Sequence, residues 1–355
     1  MHARTAVRHR VHRFLSLLAT PLVPEDYLDL INPLRPGAAL RGRIVNRRRE
    51  TNDAVTLEIH PGADWQGHTP GQHIRIAIDV NGVRHHRSYS LTSAPGLATI
   101  SITPKRVTGG VVSTHLVEQA RIGDLIGLSQ ASGDFHVPTT PPARILLITA
   151  GSGITPILGM LRSGLADASD VAHIHTDPTD PDMIAGDELR ALAATGRIRL
   201  TEQHTTTAGR LTPAHITDLV PDWAERHTWA CGPAGLLDVL AAHWAEHGLA
   251  DHLHTERFTP PPRPAVGDGG RIRFGVTEIN VDTPPGQTLL EAGEQAGVLM
   301  PSGCRMGICY GCVTPLRSGS IRDTRTGELR TAPDGDPLPI QTCISEAAGP
   351  CHIAR

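Results

Sequence analysis

Between Gly37 and Pro138 the chain alternates apolar and polar residues in short runs: LRGRIVNRRRE, AVTLEIHP, QHIRIAIDV, VRHHRSYSLTS after the Asn81-Gly82 turn, and ATISITPKRV. A period of two with turn residues between runs predicts short antiparallel strands, each with one face buried, closing into a barrel. At Arg144 the rhythm changes. RILLIT is a continuous apolar run, and it leads through AGSG into the helical pattern ITPILGMLRSGL. VAHIHT, DELRALAATG, RIRLTEQH, a helix near Thr212 to Leu219, HTWACGP, LLDVLAAHWAEHG and LHTERF then alternate strand with helix, which predicts a parallel sheet covered by helices. TPPPRPAVGDGG, with its prolines ahead of its glycines, reads as a linker. Beyond it RIRFGV and EINVD suit a hairpin, and QTLLEAGEQAGV suits a helix before a glycine-rich loop. The expected organisation is an N-terminal extension (1–36), a barrel (37–140), an α/β domain (141–258), a linker (259–270) and a last compact domain (271–355).

At 355 residues, 39% hydrophobic and 19% charged, the composition suits a multidomain globular protein of mixed α+β and α/β class. A net charge of −3 leaves no electrostatic footprint for nucleic acid. The N-terminus, MHARTAVRHRVHRFLSLLATPLVP, is basic and then briefly apolar, but Ser16, Thr20 and Pro21 interrupt the apolar stretch, so a secretory signal is not expected. A helix with Val7, Val11, Phe14, Leu15 and Leu18 on one side suits either packing on the first domain or an anionic membrane surface. The expected location is a reducing cytoplasm, with the membrane surface as an extension of it.

Four of the six cysteines change the picture most. Cys304, Cys309 and Cys312 are spaced C-x4-C-x2-C, and Cys343 follows after thirty more residues, the spacing of a plant-type [2Fe-2S] site. Gly303, Gly307 and Gly311 interrupt the loop where backbone folds closely around such a group. Zinc is the alternative, although structural zinc sites usually offer two C-x2-C pairs and only Cys309 and Cys312 form one. Cys231 and Cys351 stand apart, with no context that pairs them. With the hairpin and helix before it, the cysteine loop makes the last domain resemble a β-grasp ferredoxin.

Two further constellations sit upstream. Arg87-Ser88-Tyr89-Ser90 ends a predicted barrel strand, and Gly109-Gly110-Val111-Val112-Ser113 opens a helical pattern. Arg87 offers a charge-assisted fork to a phosphate, Tyr89 a ring to stack on an isoalloxazine, Ser90 a hydrogen bond, and the two glycines a close backbone approach to a pyrophosphate. Alone, such a tetrapeptide is usually a strand with an outward arginine. Gly151-Ser152-Gly153-Ile154-Thr155-Pro156 follows an apolar strand and precedes a helix, where a dinucleotide sits in open α/β sheets, although the third glycine of the common fingerprint is missing. Cys231-Gly232-Pro233 ends a later strand at the same carboxyl edge. His85 and His86, adjacent on a strand, point to opposite faces and do not form a metal site together; Tyr310 inside the cysteine loop reads as packing.

The order RSYS, GGVVS, AGSGITP, ACGP and Glu256-Arg257-Phe258 resembles the ferredoxin-NADP reductase superfamily, and with the cysteine domain appended the resemblance covers the chain from about Gly37 onward. It implies a flavin-binding barrel, an NAD(P)H-binding α/β domain and a [2Fe-2S] domain, working as an NAD(P)H-dependent oxidoreductase. It implies that Arg87, Ser88, Tyr89 and Ser90 with Gly109, Gly110, Val111 and Ser113 hold the flavin. Gly151, Gly153, Thr155, Pro156, Cys231, Gly232 and Pro233 would hold the nicotinamide nucleotide; Thr155 and Cys231, nearest its ring, and Ser90, near flavin N5, would be the three catalytic residues. Glu256 and Phe258 would flank the flavin. The double glycine and Gly133-Asp134-Phe135 favour FAD over FMN. Asp177-Pro178-Thr179-Asp180 places acid where a 2′-phosphate would need a cation, which favours NADH over NADPH, with Arg210 as a counterweight.

The acceptor lies outside the chain. PSGCRMGICYGC and ATPLVPEDYLDLINPL are similar to reductase partners of membrane fatty-acyl desaturases, which implies a desaturase or related di-iron enzyme; a Rieske oxygenase or a P450 hydroxylase is the alternative. A redox sensor without turnover is the reading from a different class.

Overall fold

The computed structural model describes residues 28–29, 31–80, 83–258, 269–303, 305, 307, 310–333 and 335–355. The predicted N-terminal helix and residues 259–268 of the predicted linker lie outside the described residues, and Gly270, the linker's last expected position, already opens a strand. Packing divides the chain into two compact units, one within Met1–Ile78, Tyr89–Val137 and Thr155–Gly164, the other within Asp79–Ser88, Pro138–Ile154 and Leu165–Arg355.

The first sheet is antiparallel. Its strands β1 (Arg41–Arg49), β2 (Val55–Pro61), β3 (His73–Val80), β4 (Val83–Ser90), β5 (Ile100–Ile102) and β6 (Leu125–Leu128) run in the order β4-β3-β6-β1-β2-β5. The period of two is explicit on β3, where Ile74, Ile76 and Ile78 are buried and the residues between them face outward. Leu91, directly after β4, bridges Ile102 of β5, so the first and last strands of the order meet and the sheet curls into a barrel. Helix α1 (Val111–Glu118) buries Val112, Leu116 and Val117.

The second sheet is wholly parallel. It contains β7 (Arg144–Ala150), β8 (Asp170–Asp177), β9 (Arg199–His204), β10 (His227–Cys231) and β11 (Leu253–Glu256) in the order β11-β10-β7-β8-β9. From β7 the chain adds strands first on one side and then on the other, so the order reverses between β7 and β10. In open α/β sheets the carboxyl edge at such a switch point is where ligands bind. Helices α2 (Ile154–Arg162), α3 (Gly186–Ala194), α4 (Pro213–Leu219) and α5 (Ala234–Glu246) alternate with these strands. On one face Leu146, Ile148, Ala172, Ile174 and Ala230 pack with Trp223, Leu237, Leu240 and Trp244. At the amino edge, fully buried Arg226 donates to the carbonyls of Ile145 and Asp170 (3.1 and 3.0 Å) and to the carboxylates of Asp170 and Asp222 (2.7 Å each). It thereby ties the starts of β7 and β8 together.

The other face of this sheet carries a polar chain. Thr149 Oγ1 lies 2.8 Å from His173 Nε2 and 2.7 Å from His175 Nδ1, and His175 Nε2 lies 2.7 Å from Asp177 Oδ2. With Asp177 Oδ2 accepting a hydrogen bond from His175 Nε2, His175 Nδ1 accepts the Thr149 hydroxyl, whose oxygen accepts from His173 Nε2. The four side chains are almost fully buried.

The third sheet holds β12 (Gly270–Phe274), β13 (Ile279–Thr283), β14 (Val313–Asp323), β15 (Leu329–Thr331), β16 (Leu338–Gln341) and β17 (Ser345–Ile353). Their order is β13-β12-β17-β14-β15, with β16 also on β14. The β12–β17 pair is parallel and the others antiparallel, the mixed arrangement of a β-grasp. Helix α6 (Leu289–Gln295) starts at a capping box, in which Thr288 Oγ1 accepts from the Glu291 N–H and the Glu291 carboxylate accepts from the Thr288 N–H. It presses Leu289 and Leu290 onto Ile272, Phe274, Leu316 and Ile353. Among the described residues no helix is long and apolar enough to cross a membrane.

Burial lowers the His173 pKa well below 6.5, with the neighbouring His175 adding to the shift. The unfolded chain binds a proton there near pH 6.5 and the native chain does not, so this residue's share of stability is full above that pH and declines as the pH falls. Three of the four tryptophans, Trp223, Trp229 and Trp244, belong to this sheet and its helices and report on it. We expect tryptophan-detected denaturation to show stability declining as the pH falls through 6.5 and below. His173→Leu should flatten that profile; an unchanged slope would assign it to other groups.

Candidate functional site

Ser90, the last residue of β4, is 5% exposed, and its Oγ makes no hydrogen bond among the described residues. A buried hydroxyl without a partner is costly unless something outside the chain supplies one. Arg87 and Tyr89, on the same strand, are half-buried, with Arg87 donating to the His86 carbonyl at 2.7 Å; Ser88 lies between them. The turn at Gly109 and Gly110 is closed by Ser113, whose Oγ accepts from the Val107 N–H (3.1 Å) and donates to the Gly110 carbonyl (3.3 Å). Gly109 has φ +72°, and a Cβ on Gly110 would come within 2.6 Å of Ser113 Oγ. Both glycines are therefore required before Val111 can start α1. Gly133 is left-handed as well, and Phe135 is buried.

The turn expected to hold a nucleotide is built on the second sheet. Gly151–Gly153 forms one 3-10 turn after β7, with Gly151 at φ +55°. A Cβ on Gly153 would stand 2.1 Å from the Cys231 carbonyl oxygen and 2.9 Å from the Gly232 nitrogen, so only glycine lets the two strand ends approach. Cys231 is paired in register with Thr149 on one side and Glu256 on the other. This row brings Gly151, Gly153, Cys231, Gly232 and Glu256 to one stretch of the carboxyl edge. Pro233 follows on the surface as the N-cap of α5, and Thr155 and Pro156 are buried in the first turn of α2. Phe258, 38% exposed, is the last described residue before the linker. Burial, with Glu256 nearby, pushes the Cys231 thiol well above the usual thiol range. Cys231 is therefore a neutral thiol and not a thiolate nucleophile.

The acidic stretch after β8 is differently disposed from a simple exposed loop. Asp177 is 3% exposed and engaged by His175, while Asp180 is ion-paired with Arg190. Arg190 also forks onto Glu202 (2.8 and 2.7 Å).

In the third sheet, Cys312 and Cys343 are buried with their Sγ atoms 3.2 Å apart and no disulfide between them. Cys304 and Cys309 lie outside the described residues. Cys343 sits in the 3-10 turn Thr342–Ile344 between β16 and β17. The hydroxyls of Thr314 and Thr342, both fully buried, donate to the Cys312 carbonyl (3.3 and 3.1 Å). Gly307, at φ +76°, and Tyr310, at φ +54° and 68% exposed, show how sharply the loop turns. Two sulfurs from distant positions converging without a bond between them suit cysteinate ligation of a metal cluster. Cys351 lies apart on β17, its thiol pushed up to about 12 by burial.

Sequence reasoning missed Thr149, His173 and His175, and the two threonines on Cys312. The histidines did leave a signal, since His173, His175 and Asp177 alternate along an otherwise apolar strand and must share one face. Nothing in the spacing marks Thr314 or Thr342.

Comparison with known proteins divides the chain in the same sequence of parts. The oxidoreductase FAD-binding domain matches residues 43–137, the oxidoreductase NAD-binding domain 147–241, and the 2Fe-2S iron-sulfur cluster binding domain 275–348. An "NADPH oxidoreductase" of Mycobacterium tuberculosis is 43% identical over 97% of this chain and 92% of its own length. The "NADH oxidoreductase HCR" of Escherichia coli is 31% identical over 80% of this chain and 88% of its own. Among solved structures, phthalate dioxygenase reductase shares the fold, with a TM-score of 0.57 at 23% identity over 89% of this chain and 97% of that one.

Gly153→Ala tests the contact between the two strand ends. We expect about 2 kcal/mol of destabilisation from overpacking and a rise in the KM for the nicotinamide nucleotide of about tenfold or more, with flavin content unchanged. An unaltered KM would mean that the nucleotide does not lie across this turn.

Proposed function

The chain belongs to the ferredoxin-NADP reductase superfamily, in the form that carries a C-terminal [2Fe-2S] domain, and we propose that it supplies single electrons from NADPH to an oxygenase. It is an NAD(P)H-dependent oxidoreductase whose cofactors are FAD and a [2Fe-2S] cluster. When bound, FAD accepts a hydride from the nicotinamide and the cluster takes up electrons one at a time.

The chain's own residues bind and orient. The observation that carries this reading is the buried Ser90 hydroxyl at the end of the RSYS strand, without a partner among the described residues, which offers its hydrogen bond to the flavin ring. Arg87 and the Gly109–Gly110 turn take the phosphates, while Tyr89 and Phe258 give ring faces. Across the switch point, Gly153 admits the nucleotide against the Cys231 backbone. The neutral Cys231 thiol and the Thr155 hydroxyl hold the nicotinamide without acid–base work. Cys304, Cys309, Cys312 and Cys343 ligate the cluster.

NADPH is proposed as donor on two grounds. The relative sharing 43% identity is named for it, and the Asp177 carboxylate is engaged inside the sheet by His175. A larger kcat/KM for NADH would return the choice to the acidic loop.

An oxygenase acceptor is supported by relatives named as reductase components. These include those of glycine betaine monooxygenase from Pseudomonas aeruginosa (27% identical) and 3-ketosteroid-9-alpha-monooxygenase from Mycobacterium tuberculosis (32%). A specific observation keeps a second reading. Those relatives align with 72–73% of this chain, whereas the 43% relative spans 97% and so takes in most of residues 1–36. That extension contains ATPLVPEDYLDLINPL, whose resemblance to reductase partners of membrane desaturases is the ground for a desaturase as the second acceptor. NADPH-driven turnover of a soluble Rieske-type oxygenase by the purified protein supports the first reading; turnover only of a di-iron desaturase in lipid supports the second.

Cys343→Ser separates the two cofactors. Iron and acid-labile sulfide should be lost and cytochrome c reduction should fall about tenfold or more, while flavin content and ferricyanide reduction stay within about twofold. Retained iron would remove Cys343 from the ligand set.

A further inference from the structure

The strand β14 ends in a feature that the cofactor assignments leave unused. Asp323 accepts from the Arg325 backbone N–H (2.7 Å), and its two oxygens accept from Arg325 Nε (3.3 Å) and an Arg325 terminal nitrogen (3.0 Å). Asp323 also accepts from the Thr326 N–H at 3.3 Å, so the carboxylate anchors the whole β14–β15 turn. Thr324, between them, is fixed to the Ile344 carbonyl by its N–H (2.7 Å) and its hydroxyl (3.0 Å), one residue beyond Cys343. The guanidinium is thus held on a rigid support, with little freedom to swing into solvent.

What it is held against is the cysteine loop. The remaining guanidinium nitrogen reaches the Gly307 carbonyl at 3.4 Å, and Gln341 Nε2 donates to the same oxygen at 2.9 Å. Gly307 is left-handed, and a Cβ there would stand 2.7 Å from the Arg325 nitrogen and 2.8 Å from Ile344. The glycine is therefore required both by its backbone and by the arginine lying over it. Arg325 is held firmly cationic, by its Asp323 hydrogen bond first, with Cys343 and Tyr310 near enough to contribute.

We propose that Arg325 is a positioning residue for the cluster: braced by Asp323, it fixes the Gly307 carbonyl with Gln341 and keeps a positive charge beside the ligand loop that favours the reduced cluster. Reduction adds one electron, hence one negative charge, to a group already ringed by thiolates. The guanidinium, on the loop side of its ion pair with Asp323, turns the positive end of that pair toward the cluster and stabilises the product of that step more than its starting state, by less than an unpaired cation would. Arg325 is 38% exposed at its side chain, so solvent screens part of this effect and its size is modest. The inference rests on the cluster reading above. Iron and sulfide content tests that reading, and the potential tests this one.

The experiment uses the full-length protein with its cofactors. The cluster is equilibrated anaerobically with a one-electron viologen, which gives one electron and is itself oxidised, and the reduced fraction is read by electron paramagnetic resonance. Arg325→Gln should shift the equilibrium about fivefold toward the oxidised cluster, and Arg325→Lys less than about twofold. Both variants lose the fork, so both should release iron to a chelator several times faster than the native chain. If Arg325→Gln leaves the equilibrium within twofold, or Arg325→Lys moves it as far as Arg325→Gln, the role of the charge is overturned. Should Arg325→Gln not retain its cluster, Arg325→Lys decides: faster iron release at a near-native potential supports the proposal, and native release overturns it.

Discussion

The closeness of Gly153 to the Cys231 carbonyl is the constraint on which the nucleotide domain depends. The order β11-β10-β7-β8-β9 leaves β7 and β10 adjacent at the switch point of the sheet. Their carboxyl ends meet only if the turns that follow are thin, and one missing Cβ provides that thinness. At the other end of these strands, Arg226 makes the opposite kind of bond. It is buried, multidentate and holds β7 and β8 in fixed stagger.

The third domain solves a related problem with thiols. Sulfur ligands must be packed closely, although deprotonated thiols repel one another and dislike apolar surroundings. Cys312 and Cys343 sit inside the same hydrophobic cluster as Ile340, Ile344 and Leu316. The polar compensation comes from Thr314 and Thr342 on the Cys312 carbonyl, and from Arg325 and Gln341 on the Gly307 carbonyl. These bonds satisfy buried backbone carbonyls beside the two sulfurs, where an unpaired carbonyl would be costly.

Much of this was legible beforehand because it lies in local periods and in glycine. The alternation around Ile74, Ile76 and Ile78 marked a strand, and RILLIT marked a buried one, since burial on one or two faces writes itself directly into the sequence. The glycine pairs at 109–110 and 151–153 were readable because each position has a steric reason. The residues that escaped notice act across distance in the chain. Thr149 meets His173 and His175 only through the register of β7 on β8, and Arg325 meets Gly307 only because β14 folds back beside the loop. Asp177 was visible as a charge, but its inward orientation followed from its strand position and its bond to His175. Parity along β8 carried half of that information, and the pairing carried the rest.

The two cysteines outside the quartet give the molecule a chemical consequence of their own. Cys231 and Cys351 are both buried, and both hold their protons far more tightly than an ordinary thiol. At neutral pH neither offers an alkylating reagent the thiolate it needs. Cys312 and Cys343 are shielded by burial as well, so four of the six sulfhydryls in the chain are closed to such a reagent by the fold itself. Labelling at these four becomes a measure of how far the folded domains open.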